Sequence, residues 1–336
     1  MARIVFYCRD EREHLDIFEY YRQDIEALRD LGHEVVVCTR YREIPWRFDA
    51  MFVWWWTYAL LPVLWCRLRG KPSIVTGVFN FRFPKHMKGR DYHHRPLWQR
   101  ALISAATRLC TLNLFIDDAE QRACAEYFGL TNARAYPCCV LTEYLQGPAP
   151  ERELALFNLA WSGKENLMRK GIPDLLDALK LLADAGIRPR VYLGGPRGDG
   201  TDGMLARITE LGLAGHVTWL GPLERSRKIE LQRRYEIYVQ PSHFEGFGLA
   251  TCEAMGGGAC VITCDVGAVR SVVGDQGIYV PPGAPAELAA GIRRALEDAS
   301  LRARLQRGAH QRARTVFAPE KKRERLQRYL AEAGIA

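Results

Sequence analysis

Two carboxylates flank a glycine turn in the second half of the chain, and together they could bind a phosphorylated, polar ligand. Glu245 directly precedes Gly246-Phe247-Gly248, and Glu253 follows eight positions after Glu245. The glycines allow a tight turn and a close approach of the backbone to a ligand. A helix is predicted to begin near Phe247–Gly248 and to end at three glycines, 256–258. Because a helix N-terminus presents free amides and a positive dipole end, the stretch predicts an anion site.

A basic motif upstream could supply the positive charge that a diphosphate needs. Lys164 and Lys170 lie six positions apart in the segment Gly163–Gly171. Residues six apart do not share a helix face, so we interpret the segment as a loop that aims both lysines at one diphosphate. Arg169 is a candidate third cation. The motif is not a Walker loop, because Glu165 follows Lys164 where a Ser or Thr would bind magnesium.

The elements that must position these residues alternate between strand and helix, which predicts a parallel, doubly wound α/β sheet. In the C-terminal half the predicted strands are Phe157–Ser162, Val191–Gly195, His216–Leu220, Ile237–Val239, Ala259–Thr263 and Gly277–Pro282. Helices are predicted between them, among them Ile172–Ala185 and Arg225–Arg234. Ligands bind at the carboxyl ends of such strands, and Lys164, Gly221 and Glu245 all fall there.

The N-terminal half shows the same alternation. Its predicted strands are Arg3–Cys8, Glu34–Thr39, Asp49–Trp56, Ser73–Phe79, Leu112–Ile116 and Ala135–Val140, and its predicted helices are Leu15–Leu31, Thr57–Leu68, Leu97–Thr111 and Ala119–Phe128. Apolar residues recur at a helical period within Leu15–Leu31, and Gly32 follows as a stop signal. The segment 146–151 is predicted to be the linker.

The C-terminal motifs resemble those of the retaining GT-B glycosyltransferases of the family 4 type, also called glycosyl transferases group 1. Their hallmark is two glutamates separated by seven residues, written E-G-F-G-L-x-x-x-E-A-M, and residues 245–249 and 253–255 match it letter for letter. The resemblance is strong over 157–320 and only topological over 1–145. It implies two Rossmann-like, doubly wound domains that face a cleft.

The same resemblance implies a division of the chain into parts. Residues 1–145 would form the N-terminal acceptor domain, 152–318 the nucleotide-sugar donor domain, and 319–336 a helix that crosses back onto the N-terminal domain. Residues 146–151 would connect the two domains.

The resemblance also implies an activity. The chain is expected to be a metal-independent hexosyltransferase that needs no cofactor. Its co-substrate would be a nucleoside-diphosphate sugar, with UDP or GDP as the nucleotide. The acceptor would be a glycan or lipid-linked molecule in cell-surface polysaccharide or glycolipid synthesis.

Particular residues would carry this activity. Lys164 and Lys170 would neutralise the diphosphate, Glu245 would bind donor-sugar hydroxyls, and Glu253 would hold the ribose diol. The remaining expected donor contacts are Gly163, Leu223, Gly246, Phe247, Gly248 and Leu249. Leu223 would pack against the nucleotide base, whereas the amides of 246–249 would contact the sugar or the phosphate.

Three departures from the family pattern leave an alternative open. No glycine precedes Gly32, so the usual Gly-Gly pair after the first strand is missing, although Arg12 and His14 could replace part of its role. The histidine expected after the fourth strand falls on Gly77 or Val78, and Ser271 stands where the family has a glutamate. A non-catalytic GT-B scaffold or nucleotide-sugar-binding protein is therefore the second interpretation.

Charge and aromatic residues in the N-terminal half indicate a partner. The net charge is +8, and ten Lys or Arg but one acid, Asp91, occur between Arg67 and Arg108. We interpret 79–95 as a basic loop that either faces an anionic acceptor or lipid headgroups, or is simply solvated. Trp54–Trp56 are either a buried strand end or part of an acceptor or membrane surface.

Composition excludes several other classes of protein. No nucleic-acid-binding module is recognisable, no dinucleotide-binding glycine motif follows the first strand, and His93-His94 has no third residue placed to bind a metal. The ten cysteines are expected to be buried and reduced. Neither a signal peptide nor an apolar run of about 18 residues is present. We therefore expect a cytoplasmic protein with peripheral contact at the inner face of the membrane through 67–108.

Overall fold

The computed structural model describes residues 1–81 and 91–335 of the 336-residue chain. The chain forms two compact units. The first comprises Met1–Cys139 together with Pro319–Ala336, and the second comprises Val140–Ala318. Each unit contains one parallel sheet with helices on both faces.

The first unit is built on a six-stranded parallel sheet. Its strands are β1 Arg3–Cys8, β2 Glu34–Cys38, β3 Ala50–Trp54, β4 Ser73–Gly77, β5 Leu112–Phe115 and β6 Ala133–Ala135. They lie in the order β2-β1-β3-β4-β5-β6. The central strands are buried along their whole length, as expected for strands that helices cover on both faces. The chain reverses its direction of winding between β1 and β3.

Two groups of helices cover this sheet. Among the described residues before the second unit, the helices are α1 Arg12–Ile17, α2 Glu19–Asp30, α3 Leu60–Leu68, α4 Leu97–Leu109 and α5 Asp118–Phe128. Val63 of α3, Ile103 of α4 and Phe128 of α5 share one hydrophobic core on one face of the sheet. Helix α2 contributes to the core on the other face.

Three predicted elements of the first unit were wrong in detail. The predicted strand Ala135–Val140 shares only Ala135 with β6, which ends there. The predicted helix Leu15–Leu31 is divided at Phe18, whose extended backbone (φ −83°, ψ 116°) ends α1 and precedes α2. The predicted strand to Trp56 ends at Trp54. Trp55 takes the left-handed value φ +75°, which breaks the extended chain, and a single 3₁₀ turn follows.

The second unit has the strand order of a doubly wound parallel sheet. Its strands are β7 Glu153–Leu159, β8 Val191–Gly194, β9 Val217–Gly221, β10 Tyr235–Gln240, β11 Cys260–Cys264 and β12 Gly277–Val280, in the order β12-β11-β10-β7-β8-β9. All neighbouring pairs run parallel. The winding reverses between β7 and β10, and such a switch point is where ligands bind in these sheets.

Eight helices cover the second sheet. They are α6 Lys164–Arg169, α7 Ile172–Asp184, α8 Thr201–Glu210, α9 Arg225–Arg234, α10 Leu249–Gly256, α11 Val269–Val273, α12 Pro285–Glu297 and α13 Ala299–Val316. The predicted loop that carries Lys164 and Lys170 was wrong, because it folds as α6.

The last helix returns to the first unit. Helix α14, Pro319–Glu332, packs against α2, and the Tyr329 hydroxyl donates a 2.8 Å hydrogen bond to the carbonyl of Ala135. The two doubly wound units and this returning helix confirm the predicted fold class. All ten cysteines are buried and free of disulfides, as expected.

Candidate functional site

The carboxyl ends of β7 and β10 lie side by side at the switch point of the second sheet. Ile237 pairs with Leu156 and Tyr238 with Phe157, so the loops that leave both strands emerge at the same edge. The loop after β7 leads into α6, and the loop after β10 leads into α10. The predicted site residues of both motifs therefore belong to one edge of one sheet.

An ion pair joins the two loops at this edge. The Nζ atom of Lys170 lies 2.5 Å from Oε1 of Glu245, and Nη1 of Arg169 lies 3.6 Å from Oε2. The Glu245 side chain is only 6% exposed and that of Lys170 13% exposed. Burial acts to raise the pKa of Glu245, but the charges of Lys170 and Arg169 outweigh it and hold the pKa below its usual value. The carboxylate is therefore ionised and paired.

A chain of hydrogen bonds fixes the Glu245 carboxylate from inside. The Tyr238 hydroxyl donates to Oε1 of Gln240, the Gln240 amide donates to Ser242 Oγ, and the Ser242 hydroxyl donates to Glu245 Oε1 at 2.8 Å. Burial and then the charges of Glu245 and Glu253 raise the pKa of Tyr238 far above its usual range. Both predicted carboxylates thus raise the pKa of the same buried hydroxyl.

Gly171 allows α6 to approach the end of β10. Its φ is +66°, and a Cβ atom at this position would lie 2.0 Å from the carbonyl oxygen of Pro241. No side chain fits there without moving the backbone. Gly171 therefore permits the close contact that places its neighbour Lys170 beside Glu245.

The N-terminus of α10 forms the second part of the site. Gly248 takes a left-handed conformation (φ +85°, ψ 46°) directly before the helix, and no side chain of the described residues caps it. The first amides of a helix have no partner within it, so those of Leu249–Thr251 remain available to an anion. Phe247 is buried with its ring edge-on to Phe317, whereas Gly246 is half-buried.

Glu253 points inward from α10 and meets a lysine that sequence reasoning missed. Its carboxylate is buried, and Lys228 Nζ of α9 lies 3.1 Å from Oε1. The same ammonium group lies 5.8 Å from the centre of the Tyr144 ring. No motif marks Lys228, because its role depends on how α9 packs against α10.

The predicted residues at the start of α6 are arranged differently. Lys164 is the first residue of the helix, and its side chain is exposed at the end opposite Lys170. Its backbone amide donates a 2.8 Å hydrogen bond to the carboxylate of Asp199. Gly163 is buried directly before it, and Leu223 is half-buried against Gly194 at the end of β8.

Polar and aromatic residues of the first unit gather at its own switch point. Asp10 follows β1 and Trp55 follows β3. The Trp55 indole donates to the Tyr21 hydroxyl at 2.7 Å, and that hydroxyl donates to Asp10 at 2.9 Å. His14 Nδ1 lies 2.7 Å from the other carboxylate oxygen. Of these residues the sequence had indicated His14 and the tryptophan, but it had not indicated Asp10 or Tyr21.

The other aromatic and basic candidates divide into buried and undescribed groups. Trp54 and Trp56 are buried, with indole nitrogens that donate to Asp24 and Asn113 respectively. The central part of the predicted basic loop 79–95, residues 82–90, lies outside the described residues. Among the described residues, no group of three His, Cys, Asp or Glu side chains is arranged to hold a metal ion.

A segment of the second unit matches a known family. Residues 164–312 match the glycosyl transferases group 1. The matched segment includes α6, Lys170, Glu245 and Glu253, so the ion pair and the α10 turn both lie within it. The predicted family is thereby confirmed, and the retaining type stays a prediction.

Similar proteins agree with this assignment. A D-inositol 3-phosphate glycosyltransferase of Thermomonospora curvata is 34% identical over 155 residues, which cover 43% of this chain and 36% of that protein. The match thus spans little more than a third of that relative's length.

Solved structures share the fold of the whole chain. Sucrose-phosphate synthase of Thermosynechococcus elongatus aligns with a TM-score of 0.75 at 16% identity, covering 98% of both chains. HepE of Anabaena in complex with UDP aligns with a TM-score of 0.74 at 17% identity, covering 98% of this chain and 99% of that one. These likenesses confirm the two-domain α/β fold of the GT-B type.

Proposed function

We propose that this chain is a retaining glycosyltransferase that moves a hexose from a nucleoside-diphosphate sugar to a glycan or lipid-linked acceptor. One observation carries the proposal. The buried Lys170–Glu245 pair, the uncapped N-terminus of α10 and the buried Glu253 all lie at the switch point of the second sheet. Together they offer cations and amides to a diphosphate and a carboxylate to a ribose.

The diphosphate would bind between α6 and α10. Lys170 and Arg169 are held in place by Glu245, so their charge is oriented before the ligand arrives. The amides of Leu249–Thr251 would take phosphate oxygens directly. Lys164 would act from the exposed end of α6. UDP is the proposed nucleotide, supported by the UDP complex of HepE, with GDP as the other candidate.

The nucleoside would bind on the Glu253 side. Its ribose hydroxyls would donate to the Glu253 carboxylate, in part replacing the ammonium group of Lys228 that now pairs with it. Leu223 would lie against the base, and the 246–249 backbone would contact the phosphate or the sugar. Glu245 would accept hydrogen bonds from donor-sugar hydroxyls through Oε2, because Lys170 and Ser242 already bind Oε1.

The reaction exchanges one bond of the donor for one to the acceptor. The bond between the anomeric carbon and the phosphate oxygen breaks, and its electron pair goes to the leaving diphosphate. The acceptor oxygen attacks the same face of the sugar, and its proton passes to a leaving phosphate oxygen. The cations of α6 stabilise the charge that develops on the diphosphate. We propose that they do so without a metal ion.

The first unit would bind the acceptor at its own switch point. Trp55 is a partly exposed indole held in an unfavourable backbone conformation, which is typical of functional positions. Asp10 and His14 lie beside it and could accept hydrogen bonds from hydroxyl groups. An aromatic face next to such acceptors is suited to a sugar or another polyol. Contact of 67–108 with an anionic membrane at the inner face would bring the enzyme to a lipid-linked acceptor.

Donor turnover tests the proposal directly. The protein would be incubated with UDP-, GDP-, ADP- and dTDP-sugars while thermal stability and slow donor hydrolysis are measured. We expect a stabilising shift and hydrolysis with one nucleotide class, unchanged by EDTA, and an α-sugar product from an α-donor by NMR. Binding without turnover would favour the non-catalytic scaffold. No binding to any donor would contradict both interpretations.

A further inference from the structure

Helices α3 and α4 of the first unit carry large apolar side chains on their outer faces as well as on the faces that pack against the sheet. Val63 and Cys66 of α3 and Ile103 and Ala106 of α4 face the sheet and are buried. The two helices also pack against each other. Their outer faces should therefore be polar, as in an ordinary amphipathic surface helix.

The outer faces are instead rich in leucine and tryptophan. The exposed large apolar side chains are Leu61, Leu64 and Leu68 of α3, Leu97, Trp98 and Leu102 of α4, and Trp46 beside α3. Their exposed fractions run from 37% for Leu64 to 88% for Leu68. Seven of the sixteen exposed large apolar side chains of the described residues lie in this patch, which we call the α3–α4 face. Patches of this kind mark interaction sites.

The exposed apolar residues of α3 and of α4 are spaced so that they form a continuous stripe along each helix. Leu61, Leu64 and Leu68 are three and then four positions apart, which places them in one stripe along α3. Trp98 and Leu102 are four apart on α4. The Trp46 ring extends the patch, because it lies edge-on to Trp65 of α3 with 6.3 Å between ring centres.

The charge around the α3–α4 face is positive. Over 60–81 and 91–110 the basic residues are Arg67, Arg69, Lys71, Arg95, Arg100 and Arg108, and the one acid is Asp91. The Asp91 carboxylate is buried and bonded to His94, so it does not offset this charge at the surface. The guanidinium of Arg69 lies 3.9 Å from the centre of the Trp46 ring. An arginine beside an exposed tryptophan suits the level of lipid headgroups.

We infer that the α3–α4 face binds the surface of an anionic bilayer, with the leucines in the acyl boundary and the basic side chains among the headgroups. A leucine and tryptophan face rimmed by arginine is the chemistry of interfacial membrane binding. An acidic protein would match the charge but not the exposed leucine stripe. No helix of the described residues is long and apolar enough to cross a bilayer.

This inference deepens the proposed function, since it names the surface that would approach a lipid-linked acceptor, but it does not depend on donor turnover. The test is co-sedimentation of the full chain with phosphatidylcholine vesicles, either pure or containing phosphatidylglycerol. We expect binding to the anionic vesicles only, weakened by salt. The triple variant Leu61→Gln, Leu64→Gln, Leu68→Gln should lower the partition coefficient at least about 10-fold. Arg67→Gln should lower it about five-fold.

Matched variants on the second unit control for general loss of apolar or basic surface. Leu154 of β7 and Leu181 of α7 are exposed leucines, and Arg293 is an exposed arginine of α12. The double variant Leu154→Gln, Leu181→Gln and the single variant Arg293→Gln should leave vesicle binding unchanged. Equal effects of the face and control variants would overturn the inference, and so would absence of wild-type binding.

Two further measurements separate the remaining outcomes. Light scattering shows whether the leucine variant turns a dimer into a monomer. If it does so and vesicles never bind, the face is a contact between copies of the chain and the lipid inference is wrong. The thermal shift with UDP should be equal in wild type and the leucine variant. Vesicle binding without any nucleotide shift would contradict the proposed function and leave this inference standing.

Discussion

Lys170 Nζ lies 2.5 Å from Glu245 Oε1, although the two residues are 75 positions apart in the chain. Lys170 follows α6 and Glu245 follows β10, so the pair closes the edge of the sheet where the winding reverses. Both side chains are largely buried, and Ser242 and Arg169 complete the surroundings of the carboxylate. The pair therefore fixes the position of the Lys170 cation at this edge of the sheet.

Replacing Lys170 with methionine should damage both folding and nucleotide binding. The substitution leaves Glu245 buried with its strongest counter-charge removed. Breaking a buried pair in this way costs about 3–5 kcal/mol of unfolding free energy. Urea unfolding would measure this loss, and the thermal shift caused by UDP should disappear. The exposed lysine Lys180, paired with Asp184 on α7, is the control, since Lys180→Met should change stability by less than about 1 kcal/mol.

The double variant Lys170→Met, Glu245→Gln separates the two effects. Removing both charges relieves the uncompensated carboxylate, so most of the lost stability should return. Nucleotide binding should not return, because the cation is still absent. Unchanged UDP binding in this stable double variant would show that Lys170 does not contact the diphosphate.

Glu253 should make the protein sensitive to the ribose of the nucleotide. A hydrogen bond to a buried carboxylate contributes about 1.5–3 kcal/mol, so UDP should bind about 10- to 100-fold more tightly than 2′-deoxy-UDP. Glu253→Gln should reduce this ratio towards one, as measured by isothermal titration calorimetry. Glu297→Gln, an exposed site on α12, should keep the wild-type ratio. A ratio near one in the wild type would place the ribose elsewhere.

Glu120 should make stability fall as the pH rises towards neutrality. Burial raises the pKa of Glu120 to about 7, against the opposing hydrogen bonds from the amides of Phe81 and Phe79. The ordinary pKa in an unfolded chain is about 4.5. Between these values the folded state binds the extra proton, so this group lowers the unfolding free energy as the pH rises from about 4.5 to about 7.

The Glu120→Gln variant checks the sign of that dependence. Urea unfolding at pH 5, 6, 7 and 8 should show a wild-type stability that declines, relative to the variant, across this window. The exposed Glu126 lies on the same helix, and Glu126→Gln should follow the wild-type profile. A constant difference between wild type and Glu120→Gln at all four pH values would mean that Glu120 does not titrate there.

The second unit was predictable from sequence where the candidate site residues lie within one short segment. Glu245, Gly248 and Glu253 belong to a single strand, turn and helix, so local patterns specify their arrangement. Lys228 could not be found in this way, because only the packing of α9 against α10 brings it to Glu253. The loop predicted around Lys164 was wrong for a related reason. A six-residue helix leaves little periodicity in the sequence.

The first unit shows the same limit more strongly. Asp10, Tyr21 and Trp55 come from three separate elements, and no spacing in the sequence joins them. The left-handed backbone at Trp55 is not a conformation that a bulky residue adopts on its own. The surrounding packing imposes it, with the indole bound to Tyr21 and its backbone amide bound to Thr76. Sequence patterns indicate the backbone conformation that a residue type favours, and Trp55 adopts one that its type disfavours.

A buried ion pair joins α14 to α2 of the first unit. Lys322 Nζ lies 2.8 Å from Oδ1 of Asp24 on α2, and both side chains are almost fully buried. The Trp54 indole donates to the other oxygen of Asp24, and the ammonium group lies 3.8 Å from the centre of the Tyr136 ring. Burial acts to lower the pKa of Lys322, but the Asp24 charge outweighs it and raises that pKa.

Lys322→Met should therefore destabilise the protein far more than loss of a surface pair on the same helix. The Asp24 carboxylate would remain buried with only the Trp54 hydrogen bond, at a cost of about 3–5 kcal/mol in unfolding free energy. Arg323 pairs with Asp30 at 2.7 Å one position further on, but both groups are exposed. Arg323→Met should cost less than about 1 kcal/mol. Hydrogen exchange should show faster opening of α14 in Lys322→Met and not in Arg323→Met. Equal urea midpoints for the two variants would contradict a buried charge as the main anchor of this helix.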